Sequence, residues 1–174
     1  MITGAYVRTM AAYNAEMNRR IYSAASLLPD AVRKLDRGAY WGSLHGTLNH
    51  LLWGDLKWMS RFDGWERPAV PLVESGALYD DFGDLYAERA GVDRRITYWA
   101  DFVTEEWLGG EIEWFSGAVR RPIRAPTALL VMHFFNHQAH HRGQAHALLC
   151  ADGADSGVTD LFLVLPAPLS GVQA

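Results

Sequence analysis

Residues 127–150 read TALLVMHFFNHQAHHRGQAHALLC. Bounded by Pro126 and by Asp152-Gly153, the stretch has the length and punctuation of one helix, with Thr127 or the proline itself serving the first turn. Leu130, Phe134, His137, His141, Ala145 and Leu148 recur at spacings of three and four, so they share one face. A helix with such a stripe must bury it against another element, and three other stretches are patterned in the same way. The first covers residues 3 to 28, with Tyr6, Met10, Tyr13, Met17, Ile21, Ala24 and Leu28 in line before Pro29. A second starts at Ser43, an N-cap residue, and continues through Leu44, Leu48, Leu51 and Trp58 to Phe62, ahead of Asp63-Gly64 and the prolines of a loop at Pro68 and Pro71. The third covers residues 78 to 107, with Leu78, Phe82, Leu85, Val92, Ile96, Trp99 and Val103 at helical spacing, and stops at Gly109-Gly110. Between the third and fourth helices, residues 111–115 and 119–124 alternate polar and apolar around Ser116-Gly117, which predicts a small β-hairpin. The tail after Gly153, with Pro166 and Pro168, is expected to lie extended across the helices. The fold class is therefore all-α, a four-helix bundle with one β-hairpin.

At 174 residues the chain has the length of one domain, spanning 1–174. With 49% hydrophobic and 21% charged residues it has the means to build a core. Its formal net charge of −4, with cations scattered among anions, shows no footprint for nucleic acid. The longest apolar runs are far short of the roughly 20 residues that span a bilayer, and no signal-like segment opens the chain, so we expect neither a membrane partner nor export but a cytoplasmic protein. Cys150 is the single cysteine, so any metal must be held by nitrogen or oxygen.

All seven histidines fall on the second and fourth helices, and His133, His137, His140, His141 and His146 crowd into fourteen residues. His137 and His141, four apart, lie on the apolar stripe, where an unsatisfied imidazole costs on the order of 1–3 kcal/mol. A divalent cation satisfies both at once, and a pair at i and i+4 is the usual way a helix offers two ligands. His133 cannot complete the set, being about 12 Å from His141 along the axis. The third ligand must come from the second helix, and His50, in Thr47-Leu-Asn-His-Leu-Leu, shares the side of Thr47, Leu51 and Gly54, whereas His45 points about 140° away. Gly54, one turn on, suggests space for a substrate beside His50. Gln138 follows His137 where a zincin would carry its glutamate base, so that protease reading fails.

His137-Gln-Ala-His-His141-Arg-Gly-Gln144, with Asn136 before it, resembles the fourth-helix signature of the DinB/YfiT-like superfamily. Thr47-Leu-Asn-His50-Leu-Leu-Trp-Gly-Asp55-Leu-Lys-Trp58 is similar to the segment that supplies that family's third histidine, and with the third-helix Arg89 the resemblance spans nearly the whole chain. It implies an up-down-down-up four-helix bundle, a divalent metal on three histidines, and commonly a homodimer. Some members of that superfamily are metal-dependent thiol S-transferases or thiol-assisted isomerases. Fold does not set chemistry, so the reaction must be argued from the site.

Three neutral imidazoles leave a metal its full charge and an open position, the arrangement of a catalytic centre. Zinc and nickel are the foremost metals for this donor set, with iron also in range. The leading expectation is transfer of a low-molecular-weight thiol to a small electrophile. A non-catalytic metal-binding stress protein and a metal-dependent hydrolase are the alternatives. Two further residues have candidate roles: Asp55 as an acceptor for an imidazole N–H, and Arg89 either as a contact for a substrate anion or in a salt bridge to Asp55 or Glu16.

Overall fold

The structure, a computed structural model, describes residues 1–117 and 119–165. In chain order its elements are α1 (Gly4–Ser26), α2 (Asp30–Arg33), α3 (Leu44–Phe62), a 3₁₀ turn (Leu72–Ala77), α4 (Phe82–Asp101), α5 (Glu105–Leu108), β1 (Glu111–Ser116), β2 (Arg121–Pro126), α6 (Thr127–Ala151) and α7 (Leu161–Val164). The described residues thus hold seven α-helical segments rather than four, the additional ones being single turns. Side-chain caps open several of them: Thr3, Ser43, Asp81 and Thr104 accept from the backbone N–H of Tyr6, Gly46, Asp84 and Trp107. None of the helices among the described residues is long and apolar enough to cross a membrane.

The third helix departs most from expectation, because residues 78–107 are not continuous. Asn49 Oδ1 accepts from Tyr79 N–H at 2.7 Å, and Asn49 Nδ2 and His45 Nε2 both reach Tyr79 O, at 3.1 and 2.9 Å. With its backbone groups held by α3, Tyr79 is withdrawn from a helical ladder, and α4 begins only after the Asp81 cap. At the other end the chain breaks after Asp101 and restarts at Thr104, which lets Glu105 accept from Gly4 N–H at 3.0 Å and place a carboxylate at the N-terminus of α1. The short α2 follows Pro29 and brings Arg33 Nη1 to Ala25 O at 3.1 Å, covering a carbonyl at the end of α1.

Residue pairs fix the helix directions. Asn18 with Asp93 and Ser23 with Tyr86 make α1 and α4 antiparallel. His50 with His141 and Trp58 with His133 do the same for α3 and α6. Tyr6 with Phe135 and Tyr13 with Arg142 make α1 and α6 parallel, and Asp55 with Arg89 and Phe62 with Trp99 do so for α3 and α4. The hairpin pairs Glu111 with Pro126 and Trp114 with Ile123, its second strand starting two residues later than the alternation suggested. Trp114 meets Trp58 of α3 at 6.0 Å between ring centroids. The tail crosses α1, where the Tyr13 hydroxyl donates to Thr159 O at 2.6 Å, but residues 161–164 coil into α7 instead of staying extended. Pro166 and Pro168 lie outside the described residues.

α6 is rotated from the predicted stripe. Val131, Phe134, Phe135, Gln138, Ala145 and Leu149 are all at 0% exposure, whereas His137 and Leu148 are only partly buried. The centre of its buried face therefore carries a glutamine, with Arg142 one turn on. These belong to a polar cluster to which all four long helices contribute. Asp55 of α3, fully buried, accepts from Arg89 Nη1 of α4 and from Gln138 Nε2 of α6, each at 2.6 Å. Arg89 also pairs with Asp93 at 2.8 Å, and Asp93 accepts from Asn18 Nδ2 of α1 at 2.9 Å. Arg142 is buried within the electrostatic reach of both carboxylates, so the cluster holds two anions and two cations. Burial pushes the Asp93 carboxyl up to about 6, against the pull of Arg89.

Arg89→Met leaves two buried carboxylates without the cation that pairs with both, and urea denaturation is expected to show a loss of about 3–5 kcal/mol. Asp93 binds its proton more tightly folded than unfolded, so its contribution is present in acid and is lost as pH rises through about 6. Asp93→Asn is therefore expected to gain on the wild type between pH 4 and pH 7, by at most about 3 kcal/mol, in paired denaturation curves.

Candidate metal centre

Because α3 and α6 run antiparallel, His50 comes to lie opposite one turn of α6 that carries His137 and His141. The three rings each offer one nitrogen, and these nitrogens lie within 4.8 Å of one another. His50 Nε2 and His137 Nε2 are 3.4 Å apart, the spacing of about 3.3–3.4 Å that two nitrogens take when bound tetrahedrally to zinc. The His141 ring stands 4.5 Å from that of His50 and 4.4 Å from that of His137.

Hydrogen bonds at the far nitrogens aim these rings. His141 Nδ1–H donates to Gln144 Oε1 at 2.8 Å, which leaves the lone pair on Nε2. His50 Nδ1 lies 2.8 Å from Ser75 Oγ, a fully buried hydroxyl carried by the 3₁₀ turn against α3. Trp41 stacks on the His50 ring at 3.9 Å and 18°. The close approach depends on Gly46, where a Cβ would fall 2.2 Å from Trp41 O. Burial, then the neighbouring imidazoles, push His50 down to about 3 and His137 down to about 4, and burial lowers His141 as well. At neutral pH all three are uncharged, as metal ligands must be.

Gly54 has a different role from the one expected. A Cβ there would sit 2.8 Å from His137 Cε1 and 3.3 Å from its Nδ1, so the space beside His50 is filled by the His137 ring rather than left for a substrate. Asp55 accepts from Arg89 and Gln138 and not from a histidine; Ser75 and Gln144 meet the imidazoles instead. Arg89 is 1% exposed and forms ion pairs with Asp55 and Asp93, so of the two carboxylates considered as its partner it meets Asp55; Glu16 pairs with Arg19 and Arg20. His45 braces Tyr79, His140 is exposed, and His146 Nδ1 lies 2.8 Å from Ser156 Oγ. His133 is exposed and packs its ring 5.0 Å from Trp58 and 6.0 Å from His137, beside the centre.

Ser75 and Trp41 escaped the sequence reading because both lie outside the periodic stretches. Asp93 had a local signal, four residues after Arg89 on one helix, and Gln138 and Arg142 are likewise four apart.

Gly54→Ala is expected to lower metal affinity at least tenfold by displacing the His137 ring, with the melting temperature unchanged or raised, since alanine favours the helix by about 1 kcal/mol. Ser75→Ala, which frees the His50 ring, is expected to weaken metal binding about 10–100-fold. Competition with a chromophoric chelator reads both.

A family model described as "DinB family" matches residues 1–167. No curated protein and no solved structure matches the chain. The matched span takes in α3 and α6 with all three clustered histidines, and on this match the chain belongs to the DinB family.

Proposed function

We propose that His50, His137 and His141 hold a divalent metal ion, zinc or nickel before iron, and that the centre serves a thiol S-transferase acting on a small electrophile. The proposal takes the long helices as the family's up-down-down-up bundle, with the single-turn helices as additions to it. The observation that carries it is the donor set: three uncharged imidazoles whose nitrogens converge to within 4.8 Å, two of them with their second nitrogen already engaged. A divalent ion on neutral ligands supplies an undiminished positive charge, which makes a coordinated thiol more acidic at neutral pH. The protein's part is to keep the imidazoles deprotonated, to aim them from Ser75 and Gln144, and to line the approach with His133 and Trp58.

A thiol is favoured over water because of Asp55. A hydrolase needs a base beside the attacking water, and the nearest carboxylate in sequence is committed to Arg89 and Gln138. A thiol that loses its proton readily does not need that base. Family membership supports a homodimer, which light scattering reads, and the chemistry suits the cytoplasm, where small thiols stay reduced.

Metal removal tests this reading. Chelated protein is expected to keep its fold, because the Asp55–Arg89–Asp93 cluster ties the helices together without metal, and to lose conjugation of low-molecular-weight thiols to a panel of electrophiles. Zinc or nickel should restore the conjugation. A metal-loaded protein without conjugating activity, whose melting temperature collapses on chelation, would establish the non-catalytic metal-binding alternative instead.

A further inference from the structure

Further along α3 from His50 lies a cluster of cations. On α3, Gly54, Lys57, Trp58 and Arg61 stand 4, 7, 8 and 11 residues after His50, so they lie along one side of the helix. At 1.5 Å per residue, Lys57 and Arg61 stand about 10 and 16 Å from His50 along the axis. Aromatic rings connect the two ends: His137 to His133 at 6.0 Å, His133 to Trp58 at 5.0 Å, and Trp58 to Trp114 of the hairpin at 6.0 Å. Arg61 is pinned against both indoles, 4.4 Å from the Trp58 centroid and 5.1 Å from that of Trp114.

There Lys57, Arg61 and Arg67 line a recess of about 350 Å³ together with Trp114. Glu113, which is exposed, is the one carboxylate in that lining. Among the described residues, none of the three cations forms a salt bridge. Three cations against one anion is a local excess of two positive charges on a chain whose formal charge is −4. Like charges held together, one of them fixed between indoles, cost free energy unless an anion sits among them. In agreement, burial and then the neighbouring arginines lower the Lys57 ammonium from its ordinary range.

We infer that this recess holds the anionic end of the substrate, a carboxylate or a phosphate, while the reactive end reaches the three histidines along the side of α3 that carries His50 and Arg61. This rests on the metal-centre reading above, and it defines the substrate class as an elongated anion whose charge lies about 10–16 Å from the metal position.

Two experiments test it separately from that reading. In the first, metal-free protein is titrated with glutarate, inorganic phosphate and the uncharged glutaramide, followed by tryptophan fluorescence. At least tenfold tighter binding of glutarate or phosphate than of glutaramide, lost at least tenfold in Lys57→Gln and Arg61→Gln at unchanged melting temperature, supports the inference, and the better anion tells carboxylate from phosphate. Equal binding of charged and neutral probes, or binding indifferent to both substitutions, overturns it. In the second, cobalt(II)-loaded protein is titrated with ω-mercaptocarboxylates and ω-mercaptoalcohols of increasing length, read by sulfur-to-cobalt charge-transfer absorption. The carboxylates should outbind the alcohols only once the chain spans about 10 Å, and Arg61→Gln should abolish the advantage. Equal affinities at every length overturn the anion anchor and leave thiol binding at the metal intact. Absence of the band with every thiol, beside normal glutarate binding in the first experiment, overturns the thiol chemistry and retains the anion recess.

Discussion

A guanidinium in the middle of a helical bundle constrains nearly everything around it. Arg89, 1% exposed, can keep its charge there only beside carboxylates, and Asp55 and Asp93 stand at 2.6 and 2.8 Å. Those carboxylates, desolvated in their turn, need Gln138 and Asn18. Four helices are thereby bound into one arrangement, since sliding α3 past α4 would unpair Asp55 from Arg89 at a cost of several kcal/mol, and sliding α1 or α6 would take an amide donor from a buried carboxylate. Such a cluster contributes less to net stability than to the choice of one register among many. Apolar stripes alone, which tolerate repacking, would specify that register weakly.

The register matters because the histidines sit beside the cluster in sequence. Asp55 follows Gly54, Gln138 follows His137, and Arg142 follows His141. The hydrogen bond from Gln138 to Asp55 therefore sets which turn of α6 faces which turn of α3. His137 is thereby laid across Gly54, and Nε2 of His50 and His137 are brought to 3.4 Å. Polar residues in the core act as the alignment of the centre, and the DinB match over residues 1–167 includes both sets.

The chemistry changes along one side of α3. At one end three neutral imidazoles converge beneath Trp41. In the middle the rings of His133 and Trp58 pack against each other, and at the far end cations gather around Trp114. The hairpin contributes to the cation recess as well as joining α5 to α6, because its Trp114 holds Arg61 in place.

Helical spacing and punctuation were enough to locate the long helices and the hairpin, because the period of apolar residues and the Gly and Pro stops are local properties of the chain. The histidine trio was legible for a similar reason: an i, i+4 pair facing inward demands a partner, and only one other helix carried histidines to offer. Residues 78–107 could not be divided from sequence, since the break is imposed by Asn49 and His45 seizing Tyr79 from a different helix. Nor could the sequence disclose Ser75 and Trp41 against His50, choose between Asp55 and Glu16 as the partner of Arg89, or show Gln138 donating to Asp55. Periodicity tells which face of a helix turns inward. Which residue it meets there depends on the rotation and register of the neighbour, and α6 settled some degrees away from its apolar stripe because Gln138 and Arg142 had to reach the buried carboxylates.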